Sequence, residues 1–310
     1  MTAASSLFGL GVSLKNRLYD RGFLRTKRLQ GPVVSVGNLS TGGSGKTPFV
    51  ILLCEELQRR RVRFDVLSRG YGRKTRGVLE VDADSSPLQS GDEPLLIRRR
   101  VGCPVIVGES RYAAGLFAEQ KFGPQLHILD DGFQHRSLAR DLDIVLLTPE
   151  DLNDSLLPGG RLREPLSSLT RADEVIGMGD EVPSRSQPKT IRIRRSVSID
   201  NPPQRPVVFC GIAKPARFVE QLRVAGVDPV AERFFRDHHL YRDQDLAELG
   251  KLRDQNGGTG FITTEKDAIN LGGRVAQLGN VVVARAILLP EPADALDTLI
   301  GQIADLGRQA

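Results

Sequence analysis

The chain alternates two hydrophobic periods. Short, β-branched apolar runs fall at 33–36, 64–67, 105–107, 126–129, 143–147 and 174–177. Each has the length and composition of a buried strand. Between them, residues 48–59 place Val50, Leu53 and Leu57 at helical spacing, and 111–122 read as another helix. Strands alternating with helices predict a parallel sheet covered on both faces. Such sheets bind ligands at the carboxyl ends of their strands, and the glycine-rich and acidic segments of this chain follow strands.

The pattern then breaks. Residues 184–206 hold Pro188, Pro202, Pro203 and Pro206 around a polar, basic, strand-like stretch at 190–199. A second α/β pattern follows, with strands at 207–210, 260–263 and 281–284. Its helices fall at 215–224, 244–253 and from about 293 onward. The expected fold class is α/β: a P-loop NTPase-type parallel-sheet domain over 31–186, a linker over 187–206 and a smaller α/β domain over 207–310. Two such units imply a cleft that closes on its ligand.

Residues 1–30 form a further segment. Leu7, Leu10, Leu14 and Leu18 share one helical face. Lys15, Arg17, Arg21, Arg25, Lys27 and Arg28 stand against Asp20 alone. The apolar run is too short to span a bilayer, and no clear cleavage site marks a signal peptide. Two readings stand: the helix lies among the headgroups of an anionic leaflet, or it packs on the domain with a solvated charged face.

Charge narrows the partners. A net charge of +5 and a pI near 9.3 suit nucleic acid, an anionic membrane surface or a phosphorylated substrate. Trp is absent and no basic stretch is interleaved with aromatics, so nucleic acid is not expected. Cys54, Cys103 and Cys210 lack metal-ligand spacing and read as reduced thiols. Nothing calls for an obligate protein partner.

The candidate chemistry starts where the first strand ends. Gly37 and Asn38 lead into Ser40, Thr41, Gly42, Gly43, Ser44, Gly45, Lys46 and Thr47, and a helix follows. Strand, glycine-rich loop, Gly-Lys-Thr and helix form a phosphate cradle. Glycines let successive N–H groups face one anion, and the helix N-terminus adds its dipole. Lys46 reaches the outer phosphates, and the Thr47 hydroxyl can ligate Mg²⁺. Ser40 stands where the usual pattern has its first glycine.

A second strand, 126–129, ends in Asp130-Asp131-Gly132-Phe133-Gln134-His135. Acid closing a buried strand is the other half of a nucleotide–metal site, and Asp130 and Asp131 are both candidates. An Asp-Gly turn is the plainer reading. In Gly91-Asp92-Glu93-Pro94 the residues alone indicate only a helix entry, with Asp92 or Glu93 as a cap.

Taken together, the motifs resemble a family. The loop, Ser68-Arg69-Gly70-Tyr71-Gly72, Gly91-Asp92-Glu93-Pro94, Asp130 to His135, and Leu157-Pro158-Gly159-Gly160-Arg161-Leu162-Arg163-Glu164-Pro165 occur in order. Phe235-Arg236-Asp237-His238-His239 and Thr263-Thr264-Glu265-Lys266-Asp267 follow. The chain looks like a tetraacyldisaccharide 4′-kinase of the lipid A pathway over nearly its whole length. Only the N-terminal apolar segment is shorter than in many members. The resemblance implies transfer of the ATP γ-phosphate to the 4′-hydroxyl of a lipid-linked disaccharide 1-phosphate, giving the lipid IVA intermediate. It implies ATP and Mg²⁺ as cofactors and a peripheral position on the cytoplasmic face of the inner membrane.

By match to the family's motifs, Asp92 is the candidate base and His238 its partner across the cleft. Arg69, Arg111 and Arg163, with Glu93 and Gln134, are candidates for contact with substrate or phosphate. A partitioning ATPase is a competing class, but its loop typically has an early lysine where this one has Thr41. A soluble small-molecule kinase is the other.

Overall fold

The computed structural model describes residues 3–179 and 191–309. In chain order the elements begin with α1 (Ala3–Asp20), β1 (Val33–Asn38), α2 (Lys46–Arg59), β2 (Phe64–Ser68), β3 (Leu79–Glu80), α3 (Pro87–Ser90) and α4 (Asp92–Val101). Next come β4 (Val105–Val107), α5 (Arg111–Phe122), β5 (Leu126–Asp130), β6 (Leu142–Leu147), β7 (Glu174–Met178) and β8 (Ile191–Ser198). The second half holds β9 (Pro206–Cys210), α6 (Pro215–Val224), β10 (Ala231–Phe234), α7 (Asp243–Gln255), β11 (Gly260–Thr264), α8 (Glu265–Leu271), β12 (Val281–Glu291) and α9 (Asp297–Gln309).

Among the described residues twelve strands join into one sheet, ordered β10-β9-β11-β12-β8-β7-β6-β1-β5-β2-β4-β3. Pairing is parallel throughout except at two places. The short β3 runs against β4, and β12 runs against β8 from Arg285↔Ser198 to Glu291↔Arg192. The β8–β12 pair is the seam between the halves.

Period-2 alternation explains the layering. In β9, Val207 and Phe209 enter a core with α7, while Val208 and Cys210 enter the opposite core with α6. In the first half, α2 and α4 cover one face through Phe49, Leu53, Leu57, Leu95 and Ile97. On the other face α5 packs through Ala114 and Ala118.

Three expectations change. The linker is not a linker over its described part: Ile191–Ser198 is β8, parallel to β7 on one side and antiparallel to β12 on the other. The stretch reads as strand-like in the sequence, but its basic positions between prolines do not show that it joins the sheet, where Ile191, Ile193 and Val197 pack against the cores. The proposed boundary between 186 and 187 lies outside the described residues.

The closing helix also goes elsewhere. Leu299, Ile300, Ile303 and Ala304 of α9 are buried in the core of the first half, together with α2. Each such Leu or Ile contributes roughly 1.5–3 kcal/mol of burial there. Amphipathic spacing shows that a helix buries a face, but not which surface receives it.

The third change concerns α1. It does pack on the protein, but through its small and polar positions. Ser5 is buried and its hydroxyl accepts from the Gly159 N–H at 3.1 Å, Asn16 donates to Glu164 at 2.8 Å, and Asp20 pairs with Arg136 at 2.6 Å. The leucine face points outward: Leu7, Leu10 and Leu14 are 72%, 68% and 60% exposed.

Candidate active site

Residues 40–47 leave β1 and enter α2. Gly42, Gly43 and Gly45 take φ of +76°, +56° and +91°, values that an L side chain resists. Gly45 caps α2 without any side-chain hydrogen bond to its first amides, which suits an anion at the helix N-terminus. Asn38 organises the loop from beneath. Its side chain donates to the Ser40 carbonyl at 2.8 Å, and its Oδ1 accepts from Lys46 Nζ at 2.9 Å.

The acidic pair lies beside this loop, and its two members differ. Asp131 takes a fork from Arg163, at 2.9 and 2.8 Å, and sits 3.4 Å from Lys46 Nζ. Burial pushes its pKa up, but Lys46 and Arg163 overcome this and hold it well below the carboxylate range. Asp130 accepts from the Ser68 hydroxyl at 3.0 Å through one oxygen. Its other oxygen, Oδ1, is buried and has no partner. Burial, then Glu93 and Asp131, raise its pKa to about 7 against the opposing effects of Lys46 and Ser68.

A buried carboxylate oxygen without a partner, in a cleft that Thr47 also lines, fits a cation. Thr47 and Asp130 are the residues that would hold Mg²⁺. Among the described residues no three His, Cys, Asp or Glu side chains gather into a closed cage. Mg²⁺ does not need one, because it keeps waters and phosphate oxygens as ligands.

The cleft over the loop has a volume of about 770 Å³ and its far wall comes from the second half. Ala213, Lys214, His238 and Lys266 line that wall. Asp92 opens α4 and is buried. The chain reaches it through Gly91, whose φ is +90°. It does more than enter a helix: both its oxygens face His238 Nδ1, at 2.8 and 3.0 Å, and Oδ2 also accepts from Asn270 at 3.1 Å. Burial raises the Asp92 pKa, but the His238 hydrogen bond, Lys266 and Asn270 prevail and hold it low. Burial lowers His238, and Asp92 more than restores it, so the imidazole sits above its ordinary value. The two directions agree on a hydrogen-bonded pair in which Asp92 is the anion, assembled in this structure from residues far apart in the chain.

The remaining candidates divide. Glu93 and Arg69 line the cleft, and Arg69 is exposed. Arg111 is buried with an unpartnered Nε, its Nη1 donating to the Glu109 carbonyl at 3.1 Å. Together with burial, Arg111, Arg140, Lys15 and Arg69 hold the pKa of His135 down to about 4, so this corner is strongly positive. Arg163 lines the cleft, but its fork is occupied by Asp131. Gln134 donates to the Asn38 carbonyl at 2.9 Å and braces the end of β1.

Sequence reasoning missed Arg195. From β8 it donates to the loop carbonyls of Gly43, at 2.9 Å, and of Ser44. Burial, then Arg217, lower its pKa to about 10, where it remains charged at neutral pH. Carbonyls drawn toward Arg195 turn their peptide N–H groups the other way, into the cradle. A Cβ on Gly45 would lie 2.7 Å from this guanidinium, so that glycine is required twice over.

The sequence matches the family described as tetraacyldisaccharide-1-P 4′-kinase over residues 1–303. The chain belongs to this kinase family. The tetraacyldisaccharide 4′-kinase of Koribacter versatilis is 48% identical over 317 residues, which cover 97% of this chain and 98% of that one. The tetraacyldisaccharide 4′-kinase of Aquifex aeolicus is 39% identical over 289 residues, covering 87% and 88%. A crystal structure described as LpxK from Aquifex aeolicus in complex with ATP aligns at a TM-score of 0.80 and 37% identity, covering 96% of both chains. The chain is a kinase with a P-loop-type nucleotide fold, as its motifs lead one to expect. The partitioning-ATPase reading falls.

Proposed function

We propose that this kinase moves the γ-phosphate of ATP to the 4′-hydroxyl of a tetraacyldisaccharide 1-phosphate in lipid A synthesis, with the Asp92–His238 pair as its proton acceptor. The observation that carries this reading is the pair itself, 2.8 Å apart across the cleft from the phosphate loop. Phosphoryl transfer needs positioning, neutralised charge and a group to take the hydroxyl proton. Loop amides and Lys46 hold the phosphates. Bound Mg²⁺ would neutralise phosphate charge beside Thr47 and Asp130.

Asp92 is enclosed and both its oxygens are engaged, whereas His238 is partly exposed to the cleft. The acceptor O–H bond breaks toward the imidazole as the new O–P bond forms and the bond to the ADP leaving group breaks. Asp92 stabilises the imidazolium that results. The basic corner of Arg69 and Arg111 suits the 1-phosphate of the acceptor.

The acceptor is a lipid, and the outward leucines of α1 give the protein a face for its membrane. Among the described residues no helix is long and apolar enough to cross one. We place the kinase peripherally on the anionic cytoplasmic face of the inner membrane, with α1 in the headgroup region. Asp92→Asn tests the reading. Turnover should fall about 100-fold or more with ATP affinity unchanged. Near-normal turnover would return Asp92 to a purely architectural role.

A further inference from the structure

The Thr263-to-Asp267 motif has so far supplied no chemistry. Its first turn is firmly held. Thr264 caps α8 by accepting from the Asp267 N–H. The buried Asp267 carboxylate accepts from the Gly211 N–H and the Tyr241 hydroxyl, each at 2.7 Å, and from the Thr264 hydroxyl at 2.5 Å. Between these two anchors Lys266 projects into the acidic side of the cleft. Its Nζ lies 2.8 Å from Asp237 Oδ1, 3.2 Å from His238 Nε2, 3.6 Å from Glu93 Oε1 and 3.9 Å from Asp92 Oδ2.

The contact with Nε2 decides a protonation state. An ammonium only donates, so at 3.2 Å the imidazole Nε2 must accept. The ring proton then sits on Nδ1, where it is donated to Asp92. We propose that Lys266 is a positioning residue for the proton acceptor: it selects the Nδ1–H tautomer of His238 and keeps the Nε2 lone pair free of a proton and facing the cleft. The proposal rests on the reading of Asp92 and His238 as the acceptor pair.

The ammonium marks the place that the acceptor hydroxyl takes. The hydroxyl displaces Lys266 from Nε2, and Lys266 keeps Asp237 and Glu93 as partners. Its charge also opposes a premature second proton on the ring. The groups that face His238 are Asp92, Asp237 and Lys266, with Tyr71 packed at 5.1 Å between ring centroids, and Glu93 reaches the cluster through Lys266. Burial and Lys266 push the His238 pKa down, while Asp92 and Asp237 push it up. Removing Lys266 therefore leaves the carboxylates unopposed, and the imidazole binds its second proton at higher pH.

The test is a pH–rate profile of kcat/KM for the acceptor at saturating ATP. In Lys266→Met the acidic limb should move to higher pH by about one unit, the size of a neighbouring-charge effect, with most activity regained on the alkaline side. Lys266→Arg should keep the limb near its original position. The KM for ATP should be unchanged in both. A uniform loss across the pH range with the limb unmoved would overturn the assignment.

Imidazole ¹⁵N spectra give an independent readout on the unmodified kinase, whose sequence has four histidines. His238 should be protonated at Nδ1 and bare at Nε2 near neutral pH, and the opposite tautomer would overturn the proposal even if Lys266→Met did not fold. His238→Ala separates the two levels of the argument. Normal turnover in that variant removes the acceptor pair and the proposal with it. Lost turnover with an unmoved limb in Lys266→Met removes Lys266 alone.

Discussion

Two acidic clusters face each other across the cleft, and they balance charge in opposite ways. Beside the phosphate loop, Asp130 keeps one buried oxygen without a partner and a pKa raised to about 7. Across from it, Asp92 is equally enclosed, yet every oxygen has a donor and its pKa is held low. The difference lies in the partners: the His238 hydrogen bond, Lys266 and Asn270 outweigh burial at Asp92, whereas Lys46 and Ser68 do not outweigh burial, Glu93 and Asp131 at Asp130. The second cluster contains its own cation, Lys266, anchored by Asp237 and Glu93. The first has Lys46, whose nearest partners are Asn38 and Asp131. Burial alone therefore does not set the state of a carboxylate: His238, Lys266 and Asn270 together hold Asp92 as an anion, while the unpartnered oxygen of Asp130 leaves it suited to a metal.

The largest effect should come from the cation on the loop side. Lys46→Ala should lower kcat by roughly 10²–10³-fold, the size of losing one preorganised charge on a transferring phosphoryl group. The melting temperature should change little, because Arg163 still pairs with Asp131. Steady-state kinetics beside calorimetry check this, and an unchanged kcat would break the comparison at once.

Next comes the carboxylate with an unpartnered oxygen. Asp130→Asn should raise the Mg²⁺ concentration needed for half-maximal rate and lower kcat. It should not lower the melting temperature measured without Mg²⁺. The sign follows from the raised pKa: a carboxyl that holds its proton more tightly when folded loses stability as pH rises toward 7, and an amide has no charge to bury. A fall in stability with unaltered metal dependence would make Asp130 part of a turn.

The loop side also has a buried guanidinium. Arg195→Ala should weaken ATP binding by about tenfold or more, because hydrogen bonds from a charged donor contribute about 1.5–3 kcal/mol. Acceptor KM should stay unchanged, and Arg195→Lys should recover part of the loss. Equal losses for both substrates would show that Arg195 supports the sheet rather than the loop.

Smallest in its effect on chemistry is the outer face of α1. Changing Leu7, Leu10 and Leu14 together to Ser should weaken binding to anionic vesicles. Rates on an acceptor dispersed in detergent should move by less than a factor of about three, an order-of-magnitude allowance for a helix that touches no phosphate. Equal vesicle binding would assign those leucines another partner.

What could be read beforehand follows from how local each signal is. The loop is contiguous, and glycines, lysine and threonine at fixed spacing leave few alternatives. Asp130 was visible because it closes an apolar strand, yet its difference from Asp131 depends on Arg163, from the loop between β6 and β7, and on Ser68, from β2. Asp92 read alone is a helix-entry residue, and only His238, 146 residues later, makes it more. Arg195 was hidden because its strand-like stretch stood within a proline-flanked linker, and nothing local shows that a basic position there reaches the phosphate loop. The direction of the α1 leucines was not legible either. A helical wheel shows a stripe, but whether protein or solvent meets it depends on Ser5 and Asn16 finding partners on the domain.

The seam at β8 and β12 has a mechanical meaning. The chain crosses from the first half at β8 and returns at β12, and α9 then anchors the end in the first core. The second half is thus a loop of chain tied at both ends, and it is held in addition where α8 packs on α4. Two strands hydrogen-bonded side by side flex across their plane far more easily than they slide along each other, because sliding breaks every bond in the register at once. Arg195 sits on β8, opposite Leu288 on β12, with its guanidinium on the phosphate loop. Arg195 thereby couples the cradle to the seam, so the strand that joins the two halves also braces the loop between β1 and α2.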